Sequence, residues 1–213
     1  KHYSGHVRNL FNWCIRQDVV KENPVEKLEK INLDPFDQYV LTVDECRKLL
    51  KLCREQHPEV LPLLILNLFC GIRPSETRRL KSGKGRDCNF DWDDNEVVFK
   101  AKQTKTKMRR AVEMSENCLA WIKLQELNLP VTNANHKWHW FLQDAKKELE
   151  YEMWPHDCIR HSFCSYGLRH SGNAAKVALQ AGHTEQIMFR HYLKLVSKAN
   201  AEKFWNIFPE KLA

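Results

Sequence analysis

Residues 59–76 read EVLPLLILNLFCGIRPSE, and the fold turns on how this stretch is taken. From Val60 to Phe69 it is apolar apart from Pro62 and Asn67. Ten residues are too few for the roughly 20 that span a bilayer, so the run reads as a buried core helix stopped by Gly71. Pro74-Ser75-Glu76 then opens a short second helix, because proline suits the first helical turn. Arg73 therefore stands between a buried helix and the start of the next. Helix N-termini present free amides, and a guanidinium adds a planar fork matched to phosphate oxygens. Glu76, three residues on, is placed to hold that guanidinium; taken alone, the two read as a structural ion pair.

Working outward, Thr42-Val43-Asp44-Glu45 has the form of a capping box, starting a helix that ends near His57-Pro58. Gly83, Gly85 and a cluster of Asp and Asn over 83–95 are turn chemistry. Val97-Val98-Phe99 and Ala111-Val112-Glu113-Met114 read as two strands of a hairpin. Helical patterns follow at about 116–128, 136–150, 158–170, 173–181, 185–194 and 198–208. Upstream, residues 2–20 carry Val7, Leu10, Phe11, Cys14, Ile15 and Val19 at helical spacing, and Asn23-Pro24 breaks the pattern. One helix cannot bury its own apolar stripe: it either docks on the main domain or ends a domain further upstream. The expected fold is α+β and mainly helical, with a small antiparallel sheet. Residues 1–38 form the upstream helix and linker, and residues 39–213 the main domain.

Composition agrees with such a domain. The 213 residues are 43% hydrophobic and 29% charged, enough for a packed core and unlike a disordered chain. Lys1 in place of Met, with no leader pattern, reads as an excerpt from something longer. Eight cysteines without disulfide-type spacing suit a reducing cytosol. A formal charge of +7 points toward a polyanion without naming one.

The densest charge is at the hairpin tip. Lys100, Lys102, Lys105, Lys107, Arg109 and Arg110 place six cations in eleven residues without an acid. The tip is either a solvated turn or a polyphosphate contact, and the basic chain favours the second. A further group runs His156-Asp157-Cys158-Ile159-Arg160-His161-Ser162-Phe163, with Gly182-His183-Thr184 and Tyr192 beyond it. His156, Cys158, His161 and Cys164 invite a zinc reading. Positions 158, 161 and 164 step round a helix by about 60° each, however, and do not converge as ligands. No metal and no cofactor is expected. His161 reads as a helix packing residue, and His191 as facing away from its neighbour Tyr192.

Taken together, in order and spacing, these residues resemble the catalytic domain of the tyrosine recombinase (phage integrase) family over about residues 39–208. Gly71-Ile72-Arg73-Pro74-Ser75-Glu76 resembles the family's first arginine box. Gln103-Thr104-Lys105-Thr106 with Arg109-Arg110-Ala111-Val112 looks like the hairpin that carries the family lysine. Ile159-Arg160-His161-Ser162-Phe163 resembles the core of the second box, and Gly182-His183 with Tyr192 nine residues later is similar to the family's ending. Residues 1–34 resemble the end of the helical core-binding domain that precedes this one in integrases.

The resemblance implies a site-specific recombinase that cleaves and rejoins double-stranded DNA through a 3′-phosphotyrosine intermediate, without metal or ATP. Arg73 and Arg160 would clamp the non-bridging phosphate oxygens, and His183 would donate a further hydrogen bond. Tyr192 would attack phosphorus, and Lys105 would protonate the leaving 5′-oxygen. Lys100, Lys102, Lys107, Arg109 and Arg110 would bind DNA. The chain would assemble as a tetramer on DNA and be cytoplasmic, in a bacterium or encoded by a phage or mobile element. Type IB topoisomerase-like relaxation and a non-catalytic DNA-binding relic are the alternatives. In such assemblies the apolar C-terminal cluster Phe204, Trp205, Ile207 and Phe208 either packs internally or docks on a neighbour. One position departs from the family pattern. Its second-box histidine lies three residues before the arginine, where this chain has Asp157, and His156 lies one residue earlier. Either residue serves there, or Asp157 only caps the helix that bears Arg160.

Overall fold

In the computed structural model, which describes residues 2–28, 38–83, 85, 87–104, 109–124, 127–192 and 196–212, the Thr42 capping box is formed. The Thr42 hydroxyl accepts from the Glu45 amide at 3.2 Å, and the Glu45 carboxylate accepts from the Thr42 amide at 2.7 Å. The chain divides into two units, residues 1–37 and 38–213.

The first unit holds α1 (His2–Arg16) and a single 3-10 turn, Pro24–Lys27. Asn23 ties them together by donating to the Arg8 carbonyl at 3.1 Å and to Asn12 Oδ1 at 2.6 Å. Val7, Leu10, Trp13 and Val19 are exposed.

The second unit is built round the stretch that opens the sequence argument. The helix α2 (Val43–Gln56) buries Val43, Cys46, Leu49, Leu50 and Cys53 along one face. All nine residues of α3 (Leu61–Phe69) are buried, as a helix apolar on every side requires. Its one polar member, Asn67, accepts from the Thr77 hydroxyl at 3.2 Å. The helices α2, α5 (Glu116–Ile122) and α7 (Cys158–Ser171) pack round α3. Gly71 ends it at φ +62°, and a Cβ there would lie 2.2 Å from the Phe163 ring. Glycine is therefore required twice, for the left-handed turn and for the approach of α7. The short helix α4 (Pro74–Thr77) follows at once.

The sheet is β1 (Phe90–Asp91), β2 (Glu96–Phe99) and β3 (Arg110–Glu113), antiparallel and in that order. The β1 strand falls within the segment read as turn. It is only two residues long, too short to show alternation. The register pairs Val97 with Val112 and Phe99 with Arg110. Val97, Phe99, Arg110 and Val112 all point into the core, so the side-chain alternation of β3 carries Arg110 inward with Val112.

The remaining helices are α6 (Ala134–Glu148), α8 (Ala174–Ala181), α9 (Glu185–Tyr192) and α10 (Lys198–Trp205). They agree with the sequence periodicity except that α5 and α10 end early, at Ile122 and Trp205, and residues 193–194 of the expected α9 stretch lie outside the described residues. The C-terminal cluster packs on its own chain. Phe204 stacks on Tyr166 with ring centroids 4.3 Å apart, and Trp121 donates from its indole to the Ile207 carbonyl at 3.0 Å.

Candidate active site

Arg73 stands at the N-cap of α4 in extended conformation, which swings its side chain back across the molecule. One guanidinium nitrogen donates to Glu76 at 3.2 Å and another to the Gly182 carbonyl at 2.6 Å. Glu76 also accepts from Arg110 at 2.8 Å. Both partners of this second pair are buried, Arg110 at 8% and Glu76 at 4% exposure, and the Arg110 guanidinium lies over the Phe99 ring at 4.8 Å. One carboxylate thus positions two arginines. Gly182, at φ +63°, closes α8 beneath them. A Cβ at Gly182 would lie 2.0 Å from one Arg110 nitrogen and 3.1 Å from one Arg73 nitrogen.

Arg160, on α7, is 3% exposed and donates to the Gly71 and Ala181 carbonyls. Burial lowers its pKa to about 10, with neighbouring Arg73 adding to the effect, and it stays charged at neutral pH. His183 follows Gly182 in the turn before α9. Burial first, then Arg160 and Arg73, push its pKa down to about 3, so its imidazole is neutral. Its Nε2 is buried with no hydrogen-bond partner among the described residues.

Tyr192, on α9, is 2% exposed, and its ring lies 6.3 Å from that of His183, centroid to centroid. Its hydroxyl is 2.7 Å from His161 Nδ1. Burial, then Cys164, raise the phenol pKa above its usual value. Arg73, Arg160, His183 and Tyr192, which are far apart in sequence, therefore meet around the Ala181–His183 turn.

Other residues singled out in the sequence are placed differently. His161 is not a mere packing residue: half-buried on α7, it reaches the Tyr192 hydroxyl. Arg110 is no tip cation but a buried member of the arginine group, because it shares the parity of Val112. That parity was readable in the sequence. The contact of His161 with Tyr192 spans 31 positions and has no local signal. Asp157 occupies the N-cap position of α7 at φ +52°, without a side-chain cap bond. Its carboxylate lies 3.6 Å from the His156 ring, and both side chains are well exposed. Lys102 and Arg109 are exposed, and Lys100 lies 3.6 Å from Asp87. Lys105 and Lys107 lie outside the described residues. Among the described residues no three His, Cys, Asp or Glu side chains cluster so as to hold a metal ion. A cavity of about 710 Å³ lies apart from the arginines, between α7, α8 and α10.

No family model matches the chain, and no curated protein is detectably similar in sequence. Solved structures are similar in fold. The Tn1549 transposon integrase in complex with circular intermediate DNA superposes with a TM-score of 0.61 at 14% identity, over 94% of this chain and 76% of that one. The XerA recombinase gives 0.60 at 18% identity, over 85% and 70%. The lambda integrase, in a tetramer bound to a Holliday junction, gives 0.63 at 13% identity, over 94% and 57%. The fold is that of the tyrosine recombinases. The mainly helical unit with its small antiparallel sheet is the integrase catalytic-domain architecture.

Proposed function

We propose that the chain carries the catalytic domain of a site-specific DNA recombinase or integrase. The observation that carries this reading is the convergence of Arg73, Arg160 and His183 on one turn beside the Tyr192 hydroxyl. A phosphodiester resists attack because its oxygens are already negative. Guanidiniums fixed in advance stabilise the charge that builds up as phosphorus becomes five-coordinate, and they do so without reorganising. Arg73 and Arg160 bind the non-bridging oxygens in this scheme. The neutral His183 offers its unpartnered Nε2 as a further donor.

Tyr192 attacks phosphorus, forming a 3′-phosphotyrosine bond as the bond to the 5′-oxygen breaks, and Lys105 protonates that oxygen. Because the ester's energy stays in the covalent intermediate, a second DNA end can rejoin in the reverse step without ATP. In this scheme the arginines supply the positive charge at phosphorus, and no metal is required. Partners follow: double-stranded DNA, contacted also by Lys100, Lys102, Lys107 and Arg109, and further copies of the chain in a tetramer. Residues 1–38 are, in the same reading, the last helix of a helical core-binding domain plus a linker. None of the described helices is long and apolar enough to cross a membrane.

The test is a nicked suicide substrate, in which cleavage releases a short 5′ fragment and traps the adduct. The chain is expected to form a covalent protein–DNA product that Tyr192→Phe abolishes. No adduct, or one that survives Tyr192→Phe, overturns the reading. Relaxation of supercoiled plasmid without recombinant products would transfer the chemistry to a topoisomerase.

A further inference from the structure

Tyr192 poses a problem of proton balance. Burial holds its phenol protonated well beyond neutral pH, so nucleophilic attack must hand the proton to a neighbour. Among the described residues, four groups stand as candidates. Cys164, one turn along α7 from Arg160, contacts the phenol, but burial pushes its thiol up to about 11, leaving it protonated and a poor acceptor. His183 has its ring centre 6.3 Å from that of Tyr192, and its basicity is suppressed by burial and by the arginines. Asp157, at the position where the family pattern has histidine, turns its exposed carboxylate toward His156. His161 is the fourth: its Nδ1 is 2.7 Å from the Tyr192 oxygen, a full hydrogen-bond contact, and its ring centre is 5.6 Å from the tyrosine ring.

We infer that His161 is a catalytic residue, the proton acceptor for Tyr192. This rests on the recombinase reading above. The step balances as follows. The Tyr192 oxygen forms its bond to phosphorus while the P–O5′ bond breaks. The phenolic proton passes to His161 Nδ1, and the departing 5′-oxygen takes a proton from the Lys105 ammonium. In the rejoining step His161 returns its proton to the tyrosine. The position suits the task. His161 follows Arg160 directly on α7, so the residue that binds the phosphate and the one that receives the proton ride on one helix. The approach of His161 to Tyr192 is then set by the packing of α7 against α9.

The test measures single-turnover adduct formation on the nicked substrate with wild type, Tyr192→Phe, His161→Ala, His161→Asn and Asp157→Asn. Wild-type adduct that Tyr192→Phe abolishes establishes the underlying reading; its absence sinks that reading first. Given the adduct, both His161 variants are expected to lose at least about tenfold in rate, within the usual range for general-base removal, at unchanged DNA affinity. His161→Asn is the sharper variant, since its amide oxygen still accepts the tyrosine hydrogen bond but cannot take the proton. It also keeps the test open if the alanine variant fails to fold. On a substrate with sulfur in place of the leaving 5′-oxygen, which departs without protonation, the loss in His161→Asn should persist. A loss of less than tenfold in His161→Asn overturns the inference while leaving the nucleophile in place. So does a loss that vanishes on the sulfur substrate, or a larger loss in Asp157→Asn.

Discussion

Two groups of cations in this molecule look alike in a charge count and differ in every physical respect. Arg73, Arg110 and Arg160 are buried or nearly so, and each is held by named acceptors: Glu76, and the carbonyls of Gly71, Ala181 and Gly182. Lys102 and Arg109, on the hairpin, stand in solvent. The first group has already lost its hydration and side-chain freedom on folding, so it meets a ligand without further reorganisation. The second is screened by salt and attracts a polyanion from a distance. Orientation belongs to the first group and encounter to the second.

The largest expected break in this contrast is Arg160→Ala. It removes a cation that binds the phosphate in the proposed scheme and strips two buried carbonyls of their partner. Adduct formation should fall by about 10³-fold or more, and chemical denaturation should show a less stable chain. A rate within tenfold of wild type would mean that the buried group is structural only. Next is Glu76→Ala, which leaves Arg110 with an uncompensated buried charge and frees Arg73. Urea unfolding should show a loss of about 3 kcal/mol, the usual scale for breaking one side of a buried pair. A change near zero would show that the group is solvated after all.

The third concerns pH. The unfolded His183 imidazole takes up its proton near pH 6.5, whereas in the folded chain it does so only near 3. Between these values the unfolded state binds more protons. The contribution of His183 is therefore fully present above about pH 6.5 and is lost as pH falls toward 3. His183→Gln should flatten that part of the stability profile; an unchanged slope would mean that the burial of His183 is not felt. The smallest effect is reserved for the hairpin. Replacing Lys102 and Arg109 with alanine should weaken DNA binding a few-fold and reduce the salt slope by about one per cation removed. A loss independent of salt would place these side chains with the buried group instead.

Much of the fold was legible because its strongest signals are local. The Thr42 capping box, the apolar run of α3 and the glycine that stops it are each decided within a few residues. The burial of α3 on all sides followed from its composition. The α1 stripe, with Val7 and Leu10 exposed, illustrates the other case: periodicity identifies an apolar face but not what covers it. Four site residues could be named from short boxes, although their meeting around one turn is a property of the packing of α7, α8 and α9. Charge density makes Arg110 read as a tip cation, whereas strand parity turns it inward with Val112. His161 was misread because its partner lies 31 residues away, and only the tertiary fold sets that distance.

The carbonyls that hold Arg160 have one more consequence. Gly71 lies just past the C-terminus of α3, and Ala181 is the last residue of α8. Both helices thus aim the negative end of their macrodipole at one guanidinium, each end equivalent to roughly half an elementary charge. Three guanidiniums, offset by the Glu76 carboxylate and by these two helix ends, leave a net of about one positive charge. That is the charge of a single phosphodiester with its sign reversed. In the proposed scheme the cradle is thus matched to one phosphate, and the rest of the DNA is left to the exposed cations outside.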